Sequence, residues 1–284
     1  MRRRDFLPAL TAPFAMAQAQ TPQPVKLKGK FKQGVCQGVF PRGMSMEDRC
    51  REAVALGITG FDLIGPQQWP LLKKYGIVPT MYPGGPGGQL PDSLANADNH
   101  AKLEPLLRAA IDEAKANGCP NIITFSGNRK GMDDRKGMDN TVAFLDKIKA
   151  QAEDKGVNIC IEYLNSKVNH PDYMFDHITW GVDVCKRVNS PRFGILFDIY
   201  HAQIMDGDIV RNIRDHYQWI KHFHTAGNPG RHDLDQNSEL NYAFIAKAIA
   251  DLGYTGWVSH EYSPAQGRDW KDALKAALSI CDVA

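Results

Sequence analysis

The chain has 284 residues, with 34 Lys and Arg against 32 Asp and Glu and a formal net charge of +2. Both signs are mixed along its length, so the basic stripe of a protein that tracks a phosphate backbone is missing, which argues against nucleic acid as a partner. No segment after the first residues is long and apolar enough for a bilayer, which takes about 20 residues.

The opening residues read as a leader. Arg2-Arg3-Arg4-Asp5-Phe6-Leu7 is a basic region of twin-arginine type, a weakly apolar stretch runs to Ala17, and Ala17-Gln18-Ala19 supplies an A-x-A-like cleavage site. Residues 1–19 are therefore expected to be a twin-arginine signal peptide, 20–30 an N-terminal tether, and 31–284 one catalytic domain that is exported folded to the periplasm. A disordered basic N-terminus is the alternative. What remains, roughly 260 residues, suits a single (β/α)8 barrel.

Eight β-like runs follow, at 34–39, 60–64, 77–81, 121–125, 157–163, 193–198, 219–224 and 256–261. Helical periodicity separates them at 46–56, 97–117, 140–155, 171–188, 242–252 and 269–281. Such alternation predicts parallel strands with helical crossovers. Glycines at 57, 76, 118, 156 and 253 stand where helices should stop, since glycine takes the left-handed cap without a Cβ penalty. An open doubly wound sheet is the rival, but its glycine-rich first turn is lacking. The prediction is a single-domain α/β (β/α)8 TIM barrel.

Loops after the third, fourth and seventh runs are long enough to shape the barrel mouth. The third, Tyr82-Pro83-Gly84-Gly85-Pro86-Gly87-Gly88-Gln89, lacks the Gly-Lys-Ser/Thr of a phosphate loop and reads as a rim or lid. Residues 127–139 hold a near-duplicate, Arg129-Lys130-Gly131-Met132-Asp133 then Arg135-Lys136-Gly137-Met138-Asp139, expected to be a solvated loop. The six cysteines show no C-x-x-C spacing, which excludes a zinc ribbon, and their apolar surroundings predict buried free thiols.

Four runs end on residues that can do chemistry: Glu162, Asp198, His224 and Glu261. In a (β/α)8 barrel the C-terminal strand ends form the mouth, so residues from four successive strands converge there. Strand alternation supports this: with these four inward, Cys160, Leu196, His222 and Ser259 also face inward, and Ile161, Phe197, Phe223 and His260 face the helices. The alternative is four unrelated polar residues capping loops. Two glutamates, an aspartate and a histidine make a ligand set for one divalent metal ion, Mn by ligand type with Mg, Co or Zn also suitable. A cation also removes the cost of burying carboxylates together. Glu162 and Glu261, across the mouth from each other, are placed as an acid/base pair for moving a proton beside a polarised carbonyl.

The sequence here resembles the xylose-isomerase-like barrel superfamily of sugar isomerases and epimerases, and hydroxypyruvate isomerases within it, over essentially the whole mature chain. The resemblance is carried by Ile161-Glu162-Tyr163-Leu164-Asn165, Phe197-Asp198-Ile199-Tyr200-His201-Ala202-Gln203, Asn228-Pro229-Gly230-Arg231-His232 with Glu239-Leu240-Asn241-Tyr242, and Glu261-Tyr262. It implies a metal held by Glu162, Asp198, His224 and Glu261, with the two glutamates carrying protons. His224 departs from hydroxypyruvate isomerases, where glutamine is usual, and follows ketose 3-epimerases. Asp62, where many relatives have glutamate, either touches substrate or caps a loop. His201 is expected to bind a hydroxyl or carboxylate, or to orient Asp198. Arg231 is expected to clamp a carboxylate bidentately, or to form a rim salt bridge.

The function expected is a metal-dependent aldose–ketose type isomerase acting on a small hydroxyketo acid or sugar through an enediolate, such as hydroxypyruvate to tartronate semialdehyde. An epimerase or lyase acting on ketoses or 3-keto-glycosides is the alternative, and a periplasmic sugar-binding protein the non-enzyme one. Homo-oligomerisation is left open.

Overall fold

Eight short parallel strands line up as β1 (Lys32–Cys36), β2 (Gly60–Asp62), β3 (Val78–Met81), β4 (Asn121–Thr124), β5 (Asn158–Glu162), β6 (Phe193–Asp198), β7 (Ile220–Thr225) and β8 (Trp257–His260). Their hydrogen-bonded order is β3-β2-β1-β8-β7-β6-β5-β4. The two ends of this row meet at a single parallel bridge, Tyr82 with Ile122, where Tyr82 N donates to Asn121 O at 2.8 Å and Ile123 N to Tyr82 O at 3.2 Å. The result is a (β/α)8 barrel in one domain, as the alternation predicts. It is seen in a computed structural model that describes residues 25–85 and 87–284. The expected signal peptide and the tether as far as residue 24 lie outside the described residues. Residues 25–30 run along the body of the barrel, with Val25 N donating to Ala55 O and Lys28 N and Gly29 N to Asp282 Oδ1.

The helices are α1 (Met46–Ala55), α2 (Trp69–Lys74), α3 (His100–Asn117), α4 (Asp134–Lys155), α5 (Ile178–Val188), α6 (Ile199–Met205), α7 (Ile209–His216), α8 (Tyr242–Asp251) and α9 (Trp270–Cys281). Ser45 and Asp133 start α1 and α4 by accepting from the N–H groups of Asp48 and Lys136. Gly118 and Gly156 end α3 and α4 in the left-handed conformation, with φ of 72° and 69°.

Three features differ from the sequence reading. The second half of the charged duplicate is helix, because Asp133 caps α4 and Arg129 pairs with both Asp134 and Asp176. Residues 171–177 form a loop before α5. The short helices α2, α6 and α7 were not anticipated: six to eight residues carry too little periodicity to register.

The strands are buried on both faces, as a parallel sheet under helices requires. Inside the ring, Met81, Ile123, Cys160 and Leu196 form a small apolar plug. Outside it, Phe61, Ile161, Phe197 and Phe223 pack beneath the helices, which fixes the register of each strand. His260 faces outward, with Nδ1 2.8 Å from Thr225 Oγ1 and Nε2 3.0 Å from Gln33 Oε1. Burial lowers its pKa to about 4, which keeps it neutral. All six cysteines are buried and unpaired. Among the described residues no helix is long and apolar enough to cross a membrane.

Candidate active site

Glu162 and Asp198 are the last residues of β5 and β6, His224 is the penultimate residue of β7, and Glu261 follows β8, anchored by its N–H on Thr225 O at 2.9 Å. One ligand atom from each of the four lies within 4.8 Å of all the others. His224 Nδ1 is the centre of the group, 2.7 Å from Glu261 Oε2, 3.7 Å from Glu162 Oε1 and 4.0 Å from Asp198 Oδ2. Among the described residues this buried nitrogen has no hydrogen-bond partner.

The other ring nitrogen is committed. His224 Nε2 lies 2.9 Å from Asp62 Oδ2, and His222 Nε2 lies 2.6 Å from the same oxygen. Asp62 Oδ1 accepts from Ser259 Oγ at 2.8 Å and from Thr80 Oγ1. Asp62 was expected either to touch substrate or to cap a loop; it does neither. It lies one layer below the mouth with no exposed surface, inside a ring of four donors. Burial opposes its charge, but His222 and His224 more than offset that and hold it ionised well below the usual carboxylate range. A carboxylate behind a ligating imidazole fixes its proton on the far nitrogen and turns the near lone pair toward a metal. An unpartnered Nδ1 facing three carboxylate oxygens, backed by such a carboxylate, fits a divalent cation.

Asp198 Oδ1 accepts from the N–H groups of Tyr200 and His201 at the start of α6, at 2.9 and 3.2 Å, so the helix positions the carboxylate. Its other oxygen accepts from Arg231 Nη2 at 2.8 Å, and the same Nη2 donates to Glu261 Oε2 at 2.6 Å. Arg231 reaches inward because the loop after β7 is pinched by a Gly227–His232 bridge and Arg231 itself is left-handed, with φ of 58°. Its Nη1 lies 2.7 Å from His201 Nε2, while Asn165 N approaches His201 Nδ1 at 3.2 Å. Burial pushes the His201 pKa down to about 3, so the ring is neutral. His201 and Arg231 therefore meet over the carboxylates.

The three carboxyl groups are not equivalent. Burial raises Glu162 to about 7, with the neighbouring Glu261 and Asp198 charges adding to the effect against His224. Burial would raise Asp198 too, but Arg231, His201 and His224 hold it at about 2. Glu261 is likewise lowered against burial by His224 and Arg231. Two carboxyl groups pushed apart in this way can divide acid and base roles.

Above the group opens a cavity of about 460 Å³. Glu162, Glu261, His201 and Arg231 line it together with Asn169 and His170, which the sequence reading passed over. His170 lies tilted against His201, with ring centroids 5.3 Å apart and an interplanar angle of 53°. The sequence signal for both was their place in the loop after β5, close behind Glu162. Trp69 and Tyr163 pack in the core, with Trp69 Nε1 donating to Ile64 O and Tyr163 Oη to Asp206.

Residues 50–281 match the family model of the xylose isomerase-like TIM barrel. The chain belongs to this family. Among its relatives are a 2-oxo-tetronate isomerase of Pectobacterium atrosepticum, 28% identical over 76% of this chain and 86% of that one, and a putative hydroxypyruvate isomerase of Homo sapiens, 27% identical over 82% and 90%. A solved structure described as AP endonuclease, family 2, from Brucella melitensis superposes with a TM-score of 0.77 at 25% identity, covering 86% of this chain and 97% of that one. Membership of the family and the isomerase relatives mark the protein as an enzyme of the isomerase kind.

Proposed function

We propose that this xylose isomerase-like barrel is a metal-dependent isomerase that moves a proton between adjacent carbons of a small hydroxyketo acid or sugar, hydroxypyruvate to tartronate semialdehyde being the simplest case. The observation that carries the reading is the pair Glu162 and Glu261 flanking the unpartnered His224 Nδ1. Glu162, Asp198, His224 and Glu261 would hold one divalent cation, Mn by ligand type. When bound, the cation polarises the substrate carbonyl and acidifies the neighbouring C–H. Glu261, kept ionised, takes that proton. Glu162 takes the hydroxyl proton and delivers it to the adjacent carbon of the enediolate, and the proton on Glu261 passes to the former carbonyl oxygen. Arg231 and the neutral His201 hold the substrate carboxylate or hydroxyl at the rim. Three carboxylates (−3), Arg231 (+1) and a divalent cation (+2) sum to zero, so the loaded site would take a neutral or an anionic substrate without net repulsion. A nuclease role lacks support, since the four candidate ligands include one histidine among three carboxylates and the chain carries only +2 overall. Action in the periplasm is proposed on the twin-arginine pattern that residues 1–19 carry.

The test is solvent-deuterium incorporation, followed by NMR, into hydroxypyruvate, free ketoses and 3-keto-glucosides with the Mn-loaded protein. Exchange at the carbon next to the carbonyl is expected in at least one. No exchange anywhere, with metal shown to be bound, would remove the isomerase reading for these compounds. An epimerase using the same carboxylates would differ by returning the proton to the opposite face of one carbon.

Metal binding is expected to release protons. Glu162 holds one below about pH 7, and the His224 ring, raised well above its ordinary range by Glu261 and Asp62 against burial, holds another. Both must leave before these groups ligate. The affinity for Mn should climb more than tenfold per pH unit from pH 5 to 7 and less steeply above. Calorimetry in two buffers of different ionisation enthalpy counts the protons; a pH-independent affinity would contradict these protonation states.

A further inference from the structure

The cavity over Glu162 and Glu261 has two unlike sides. One carries Glu162, Asn169, His170, His201, Arg231 and Glu261; the other is Leu63, Pro83, Leu90, Ile123, Phe125 and Leu164. The apolar side is a packed wall. Leu63 and Phe125 rest on the plug inside the barrel. The loop after β3 is pressed against the end of β4: a Cβ on Gly84 would come within 2.8 Å of the Phe125 ring, and one on Gly87 within 2.3 Å of Ile123 O. Leu63 holds a left-handed conformation, φ 58°, that leucine disfavours. The chain thus keeps an isobutyl group at this lip at a conformational cost.

A wall of this kind offers no hydrogen bond to a hydroxyl, which loses water against it and gains nothing. A three-carbon hydroxyketo acid bears oxygen on every carbon, so all of it belongs on the polar side. It would leave much of a 460 Å³ space wet directly above the reacting carbon. We infer that the substrate is an α-hydroxyketone with an apolar flank, alkyl or aromatic, that lies on Leu63, Phe125 and Leu164 while its oxygens face Glu162, Glu261 and Arg231. This inference rests on the isomerase reading and replaces hydroxypyruvate, the simplest case of that reading, with a larger hydroxyketone.

The test is titration calorimetry of the full chain, with and without Mn, against dihydroxyacetone, 1-hydroxybutan-2-one, 1-hydroxypentan-2-one and 2-hydroxyacetophenone. The longer alkyl ketone should bind about fourfold tighter than the shorter, the gain of one buried methylene, and the phenyl ketone at least tenfold tighter than dihydroxyacetone. Leu63→Asn keeps a residue that tolerates the left-handed backbone and removes the apolar lip. It should shrink the phenyl preference over dihydroxyacetone at least threefold. Metal-dependent binding of dihydroxyacetone with no gain from apolar groups, or a preference untouched by Leu63→Asn, overturns the inference and leaves the isomerase reading standing. Binding that ignores the metal for every ketone overturns both.

Discussion

Glu261→Gln, assayed at saturating Mn, will slow solvent-deuterium incorporation into the substrate at least about 10³-fold, the scale of losing a positioned general base. The change is nearly isosteric, and a glutamine oxygen can still accept from Arg231 Nη2, so the loss reports chemistry and not collapse of the rim. What the amide cannot do is hold the abstracted proton. It also removes one negative charge from the ligand set, so metal affinity will fall as well; working at saturation separates the two effects. A rate within tenfold of the unmodified protein would take the base role from Glu261 and leave Glu162 as its remaining candidate. Glu162→Gln, measured in parallel, should slow complete turnover more than it slows exchange, because its carboxyl is assigned the second proton transfer.

The second large effect is expected at Asp62, which touches neither cavity nor substrate. Its carboxylate accepts from Thr80, His222, His224 and Ser259 in a fully enclosed layer. Asparagine offers one acceptor oxygen and sets an NH2 against donors, so at least two buried groups lose their partner. At about 1–3 kcal/mol each, Asp62→Asn should cost on the order of 3 kcal/mol in denaturant unfolding of the metal-free protein. The His224 proton is then free to move to Nδ1, the wrong nitrogen for a ligand, and Mn affinity should fall about 10–100-fold. The sign with pH follows from the depressed Asp62 pKa. The stability it contributes is present above the ordinary value of 3.8 and is lost only as pH falls toward the folded value far below it. The gap between the two proteins should therefore persist through neutral pH and close in strong acid. Unchanged Mn affinity, measured by chelator competition, would mean that His224 does not need Asp62 to present its lone pair.

Much of this architecture is legible in the chain because barrel physics repeats. Each β-like run is short, apolar and followed by a glycine-punctuated helix, and eight of them leave little but a closed ring. Alternation within β5 to β8 was enough to say which side chains face in, since a slip of one residue would have buried Glu162 or Asp198 under helices. Depth was harder. Asp62 ends a strand much as Glu162 does, yet β2 has only three residues, and how high its end stands depends on the stagger of neighbours far away in sequence. The charged stretch at 129–139 hid a helix start because Asp133 works as a cap only once Arg129 is drawn off to Asp176. The apolar wall left no signal: Leu63, Phe125 and Leu164 follow three different strands, and each reads as one more core residue until the loops are folded.

The single bridge between Tyr82 and Ile122 divides the ring mechanically. The four candidate ligands ride on β5 to β8, which pair in succession with a register shift at Ile195–Leu196. The weakest join falls on the other side of the mouth, beneath Pro83, Gly84 and Phe125. The ring is thus most fully hydrogen-bonded around the ligand atoms, whose spacing tolerates little error, and least so where a substrate's flank would rest. Backbone ladders hold the barrel everywhere but at the join of β3 and β4, which relies chiefly on side-chain packing. A change in the apolar wall would therefore be felt at the closure of the ring before it reached the ligand atoms.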